Sequence, residues 1–302
     1  MNIKTPFEVA KNAFNYFTSK DPFSYAGTIA FYTIFSLPAF FIIIMTISSF
    51  FLDDASVRIE LKNQITYLIN EESANEVMNI LNNNQFADES WWKIAIGVGT
   101  LLFSATTVFG AIQNSFNIIW NITTRPGKNI IFMLVSRLTS LAIVFSLSFF
   151  FVVSLLLDAA INIFSGYLEQ FLSSTVVHLA MVINFILSLT ITTGIFTLLY
   201  RALPDLSLRL RDTWLSALIT TLLFGLGKFL IGYYLSATQM GSAYGAASAF
   251  VIILVWIYYT SIILIFGCAL TRAITEHRRG RVKTYPFAVR TKIEYLEDQK
   301  NG

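Results

Sequence analysis

Charge is scarce in this 302-residue chain: only 13% of its residues are Asp, Glu, Lys or Arg, about half the share found in an average soluble domain. Cysteine is limited to Cys268, histidine to His178 and His277, and proline to six residues. A single thiol excludes an internal disulfide and a cysteine-clustered metal site. No HExxH, HxHxDH, Walker loop or GxSxG sequence occurs. Catalytic residues, cofactors and a metal centre are therefore not expected, and the chain reads as a non-enzyme.

Apolar side chains fill the space that charge leaves. They make up 55% of the chain, with 28 Phe and a mean hydropathy of +0.63. A soluble domain of this length has too little polar surface to cover so much apolar side chain, and a disordered chain would carry far less of it. A polytopic membrane protein remains. Six stretches reach the roughly 20 residues that a bilayer core about 30 Å thick requires: 30–52, 92–120, 138–157, 175–200, 214–235 and 245–270. Each must be helical, because lipid offers no partner for backbone polar groups. The fold class is all-α, with six transmembrane helices. The first run starts late, is long and lacks a small-residue cleavage site, so no cleavable signal peptide is expected.

Charge asymmetry orients the chain. Lys4, Lys11 and Lys20 precede the first span. Arg125, Lys128 and Arg137 follow the second, and Arg201, Arg209 and Arg211 follow the fourth. Arg272, Arg278, Arg279, Arg281, Lys283, Arg290, Lys292 and Lys300 follow the sixth. Seventeen of the 21 basic residues thus fall on one side, which places both termini in the cytoplasm. Trp91, Trp92, Trp120 and Trp214 sit at span ends, where indoles favour the interface.

Three extramembrane parts follow. Segment 1–29 is a cytoplasmic amphipathic stretch, with Thr5 as N-cap, Pro6 as first helical residue and Glu8 as capping-box partner. Phe7, Ala10, Phe14 and Phe17 share a face, which suits either the membrane surface or the bundle. Segment 53–93 carries eight acidic residues against three basic ones. In it Val57, Leu61, Ile65 and Leu68 recur at helical spacing. Val77, Ile80 and Leu81 mark a second short helix, and Asn82, Asn83 and Asn84 a loop after it. It is too short for a catalytic domain and reads as a cap over the outer mouth, where an envelope protein could dock. Segment 271–302 is a basic cytoplasmic tail whose Arg278, Arg279, Arg281 and Lys283 suit lipid head groups. No RNA-binding module accompanies them, so nucleic acid is not an expected partner.

Polar groups inside spans are costly and locate function better than anything else here. Lys228 leads a stripe with Ala217, Thr221, Gly225 and Gly232, opposite Leu223, Leu226 and Leu230. A small-residue stripe packs on helices rather than lipid, which turns Lys228 inward. Snorkelling is the alternative, since Lys228 lies about 10 Å from the outer end of its span. Thr107, Gly110, Asn114, Asn117 and Asn121 form a second stripe, suited equally to helix–helix hydrogen bonds and to ligand contact. Thr28, Tyr32, Ser36 and Ala39 form a third, running past Pro38, where a kink is expected. Phe109-Gly110-x-x-Gln113 and Phe224-Gly225-x-x-Lys228 occupy equivalent spans, a faint sign of an inverted repeat that chance explains better. His178 and His277 fall on opposite sides, and Asp158 and Glu169 lack a partner base. The Asn121-Ile122-Thr123 sequon lies at the cytoplasmic boundary and reads as coincidence.

Four stretches resemble the YihY/virulence factor BrkB family of bacterial inner-membrane proteins. They are Tyr25-Ala26-Gly27-Thr28-Ile29-Ala30-Phe31-Tyr32-Thr33 running to Pro38; Phe109 to Trp120; Tyr200-Arg201-Ala202-Leu203-Pro204 with the Gly225 to Tyr234 region; and Tyr244-Gly245-Ala246-Ala247 through Trp256-Ile257-Tyr258 to Gly267. The resemblance implies a six-span α-helical protein of the bacterial plasma (inner) membrane. Members were once labelled ribonuclease BN, a label that two separated histidines argue against. The first functional expectation is a transporter or translocator of a lipid or another anionic, amphiphilic solute. Its path candidates are Lys228, Thr221, Gly225, Gly232, Asn114, Asn117, Gln113, Tyr32 and Tyr244, with Pro38, Gly245 and Trp256 in structural roles. The alternative is a non-transporting envelope scaffold or assembly factor.

Overall fold

A computed structural model of the chain describes residues 4–48, 54–68, 71–83, 91–124, 174–238 and 246–291. The third predicted span, Tyr244, Gly245, Asp158 and Glu169 lie outside the described residues, as do Arg125, Lys128, Arg137, Lys292 and Lys300. The described chain forms eight helices and two short strands: α1 Lys4–Thr18, α2 Pro22–Ser48, α3 Asp54–Leu68, α4 Glu71–Asn83, α5 Trp91–Ile119, β1 Ile122–Thr124, α6 Ser174–Ala202, α7 Leu210–Thr238, α8 Ala246–Arg279 and β2 Ala288–Arg290. Three segments among them are long and apolar enough to cross a membrane: Phe185–Ala202, Leu210–Ile231 and Val251–Arg279.

The 34-residue α8 organises the rest. At about 1.5 Å per residue it is roughly 50 Å long, well beyond the hydrocarbon core. It packs against α1, α2, α4, α5 and α7, while α2 pairs with α5 and α6 with α7. Small residues permit the closest contacts. A Cβ on Gly267 of α8 would collide with the Tyr200 hydroxyl and Thr220, and one on Gly227 of α7 would collide with the Tyr259 ring. Phe116, Trp120, Tyr200, Leu203, Leu206 and Ile265 form the fully buried centre, with Phe116 and Tyr200 rings 5.7 Å apart.

Chain reversals are built from residues that tolerate a left-handed backbone. Asp21 turns α1 into α2 at φ 48°, and Pro22 then takes the first helical position. Gly280 ends α8 at φ 68°, and its N–H donates to the Glu276 carbonyl at 2.9 Å, a left-handed C-cap.

Several sequence expectations shift. The first span lies in a helix that begins at Pro22, eight residues earlier, and continues through Pro38. The 271–302 segment is not a free tail over its described part. Helix α8 continues to Arg279 with Thr271, Arg272, Ala273, Ile274 and Thr275 buried. The chain then returns as β2, antiparallel to β1 with Ile122 opposite Arg290, and Leu206 bridges Thr284. These short strands are the one departure from an all-α chain among the described residues. Helix α1 already includes Thr5 rather than being capped by it. Ala13 meets Leu270, Ala273 and Ile274 of α8, and Phe17 is buried while Phe7 and Phe14 stay exposed, so the bundle takes only part of the predicted face.

Helices α3 and α4 agree with their apolar spacing. Leu61, Ile65, Ala74 and Val77 bury together against Ile253 of α8, with Ile34 of α2 beside them. The pair packs on α2 and α8 there. Asn82 and Asn83 still belong to α4, and Asn84 lies outside the described residues.

Candidate functional site

The stripe led by Lys228 divides when folded. Ala217 and Thr221 are buried, and Thr221 accepts from the Thr193 hydroxyl of α6 at 3.2 Å while donating to the Ala217 carbonyl. This part is a helix seam. About 100° round the helix, Ser216 meets Thr271, and Tyr200 donates to Thr220 at 3.0 Å, a second seam of hydroxyls between α7 and its neighbours. Further along α7 the surroundings open. Gly225 is exposed, with nothing within 4 Å of an added Cβ, and Lys228 is half-buried. Leu226, Phe229 and Leu230 around it are exposed, and Gly232 lies in the same helix.

The second stripe has a different fate. Asn117 is buried and grips Asp205 in the turn between α6 and α7. Its Nδ2 donates to the carboxylate at 2.8 Å, and its Oδ1 accepts from the Asp205 N–H at 3.0 Å. Gln113, one turn earlier, donates to the other carboxylate oxygen at 3.1 Å. The Asp205 carbonyl accepts from the Tyr285 N–H at 3.2 Å. One aspartate thus ties α5, the α6–α7 turn and the chain beyond α8. Burial pushes its carboxyl above the ordinary value near 3.8, and the two amide donors oppose that shift. Asn114, three residues before Asn117, faces outward.

A second knot joins α1 to α8. Arg272 bonds Glu276 at 3.1 Å, donates to the Ile119 carbonyl and lies 3.9 Å over the Tyr16 ring. Tyr16 donates to the other Glu276 oxygen at 2.8 Å. Burial, followed by the adjoining Glu276 carboxylate, raises the Tyr16 phenol above its usual value. Of the residues expected at lipid head groups, Arg279 pairs with Asp212 at 3.2 Å and Arg278 donates to the Arg211 carbonyl at 2.7 Å. Arg281 and Lys283 are exposed. Tyr32 is partly exposed against Phe31, and Trp256 is buried edge-on to Phe224. Among the described residues no three His, Cys, Asp or Glu side chains gather as a metal site.

The virulence factor BrkB family model matches residues 13–291, nearly the whole chain. The chain belongs to the virulence factor BrkB family. UPF0761 membrane proteins of this type resemble it over long stretches. The one from Paraburkholderia xenovorans is 25% identical over 279 residues, 90% of this chain and 61% of its own. The Rhodospirillum centenum protein is 24% identical over 276 residues, 91% of this chain and 59% of its own. The Idiomarina loihiensis protein is 27% identical over 196 residues, 65% of this chain and 66% of its own. The chain thus spans about three fifths of the length of these relatives. No solved structure matches. Family membership and the apolar helices make this a multi-pass protein of the bacterial inner membrane.

Within this family member, sequence reasoning missed Asp205 and Arg272. Asp205 directly follows the Tyr200-Arg201-Ala202-Leu203-Pro204 stretch. The available signal was a lone acidic residue beside a basic cluster at a span end. Arg272 was counted with the tail, although it falls one turn after Cys268 on the apolar side of α8.

Proposed function

We propose that the chain forms six membrane spans with both termini cytoplasmic and translocates an anionic amphiphile, a lipid or a similar solute, without enzyme chemistry. The observation carrying this reading is Lys228: a half-buried lysine inside the apolar segment Leu210–Ile231. A cation there is costly unless it faces protein, water or a ligand. The open notch at Gly225, one turn before it, offers room for an anionic group beside the ammonium. The one-sided distribution of Lys and Arg supports the orientation.

The test is reconstitution in liposomes that carry fluorescent phospholipid, with an impermeant reductant quenching the accessible label. Protein-dependent quenching of inner-leaflet label should fall to the empty-vesicle level in Lys228→Leu and persist in Lys228→Arg, both variants eluting as folded protein. Equal quenching by wild type and Lys228→Leu would remove Lys228 from the path. No quenching above empty vesicles would favour the scaffold reading. That second reading draws on Thr221, Gln113 and Asn117, whose hydrogen bonds all serve helix packing. The α3–α4 cap would then be its partner surface.

A further inference from the structure

Four cations from separate parts of the chain line one cleft of about 690 Å³ at the end of the bundle that carries the strand pair: Lys20, Arg272, Arg281 and Arg290. Glu276 is the one carboxylate among the lining residues, and both of its oxygens are already engaged, by Arg272 and by Tyr16. The cleft therefore holds a surplus of positive charge.

The fold builds this arrangement from distant segments. Lys20 stands in the α1–α2 reversal beside left-handed Asp21. Arg272 is buried and fixed by the Tyr16 ring, Glu276 and the Ile119 carbonyl. The Gly280 cap turns the chain so that Arg281 follows directly. Arg290 is held by the strand pair and donates to the Val282 carbonyl at 2.9 Å. Asn121 also lines the cleft; it is left-handed at φ 54°, and its carbonyl accepts from the Thr291 N–H at 2.8 Å. Its side-chain oxygen is buried with no hydrogen-bond partner among the described residues. Like charges brought together by tertiary structure repel unless an anion joins them. Guanidinium groups suit a phosphate, whose oxygens accept their paired N–H donors. The volume lies in the range of small-ligand sites, roughly 300–1,000 Å³.

We propose that this cleft is a binding site for a phosphate-bearing anion with a hydroxyl, the chemistry shared by a phospholipid head group and a soluble phosphate ester. Arg272 and Arg290 supply preset donors, Lys20 and Arg281 close on the ligand, and Asn121 accepts from its hydroxyl. The site is separate from Lys228 and does not depend on transport.

The test uses the full chain in phosphatidylcholine nanodiscs. One arm titrates glycerol 3-phosphate and inorganic phosphate by calorimetry. The other measures enrichment of phosphatidylglycerol around the protein in mixed nanodiscs. The variant Lys20→Gln/Arg281→Gln keeps both structural knots and should weaken binding about tenfold or more. Arg209→Gln, an exposed cation outside the cleft, should leave it unchanged. Binding in the first arm assigns a soluble ester, and selective enrichment in the second assigns a lipid. Either result supports the site when Lys20→Gln/Arg281→Gln weakens it and Arg209→Gln does not. Absence of binding in both arms, or equal loss in Arg209→Gln, overturns it.

Discussion

Asn117→Ala should be among the most destabilising substitutions in the chain. Asn117 makes two hydrogen bonds to one residue, and both partners are buried. Its loss strips a donor from the Asp205 carboxylate and an acceptor from the Asp205 N–H. A buried charged acceptor left short of a partner costs about 1.5–3 kcal/mol, and a buried N–H about 1–3 kcal/mol. The sum is about 2.5–6 kcal/mol. At roughly 2 °C per kcal/mol, the low end of the scale that suits a chain of this length, Tm should fall by about 5–12 °C. Tryptophan fluorescence of detergent-solubilised protein on heating measures it, because Trp120 lies in the adjoining core. Asn114→Ala is the control: same helix, same residue type, exposed side chain, with a shift expected below about 1 °C.

The substitution also carries a pH signature. Asp205 has a raised carboxyl in the folded protein, so the folded state holds its proton to higher pH than the unfolded chain does. Its contribution to stability therefore falls as pH rises from the ordinary value near 3.8 through the raised folded value. Without Asn117 the opposing donor is gone and the folded value rises further. The penalty of Asn117→Ala should thus be larger at pH 8 than at pH 5. Equal Tm losses in Asn117→Ala and Asn114→Ala, or a penalty that grows on acidification, would refute the role given to Asp205.

Gly267→Ala forces a methyl group onto Tyr200 and Thr220 and should cost about 1–3 kcal/mol, whereas Gly225→Ala and Gly110→Ala, with open space around them, should stay within about 1 kcal/mol of wild type; thermal unfolding in detergent separates the two groups. Leu61→Ala opens a cavity under α3 at a cost of about 2–5 kcal/mol, so limited proteolysis should cut the 54–83 segment faster while the rest of the bundle resists. Native-state hydrogen exchange should protect the amides of 213–221, in the hydroxyl seams, more strongly than those of 225–233. Equal protection along α7 would contradict the difference in packing between its halves.

How legible these features were depended on the range of the interaction. Val57, Leu61 and Ile65 announced α3 because helical spacing is local and one face is buried. The BrkB likeness was legible because Tyr25 to Pro38 and Tyr244 to Gly267 retain distinctive short runs. Which polar residues face which neighbour is not local. Asn114 and Asn117 read identically in a stripe, yet about 60° separates them around a helix. That rotation places Asn117 at the Asp205 turn and Asn114 outside. Gly225 and Gly227 read alike too, but only Gly227 meets a ring, that of Tyr259. The cleft cations lie up to 270 positions apart in sequence, and no periodicity could bring Lys20 to Arg290.

Helix α7 has two unlike halves. From Thr213 to Thr221 its small and hydroxylated side chains are buried and mostly hydrogen-bonded against α6 and α8. Beyond Thr221 its exposed residues include Leu222, Leu226, Phe229, Leu230 and Tyr233. The first half is anchored to the end of the bundle where Asp205, Arg272 and the strand pair converge, and there displacement would break several buried hydrogen bonds at once. The second half carries Lys228 between Gly225 and Gly232. The cationic cleft includes Arg272 at the anchored end and not Lys228, so substitutions at the cleft and at Lys228 should act independently.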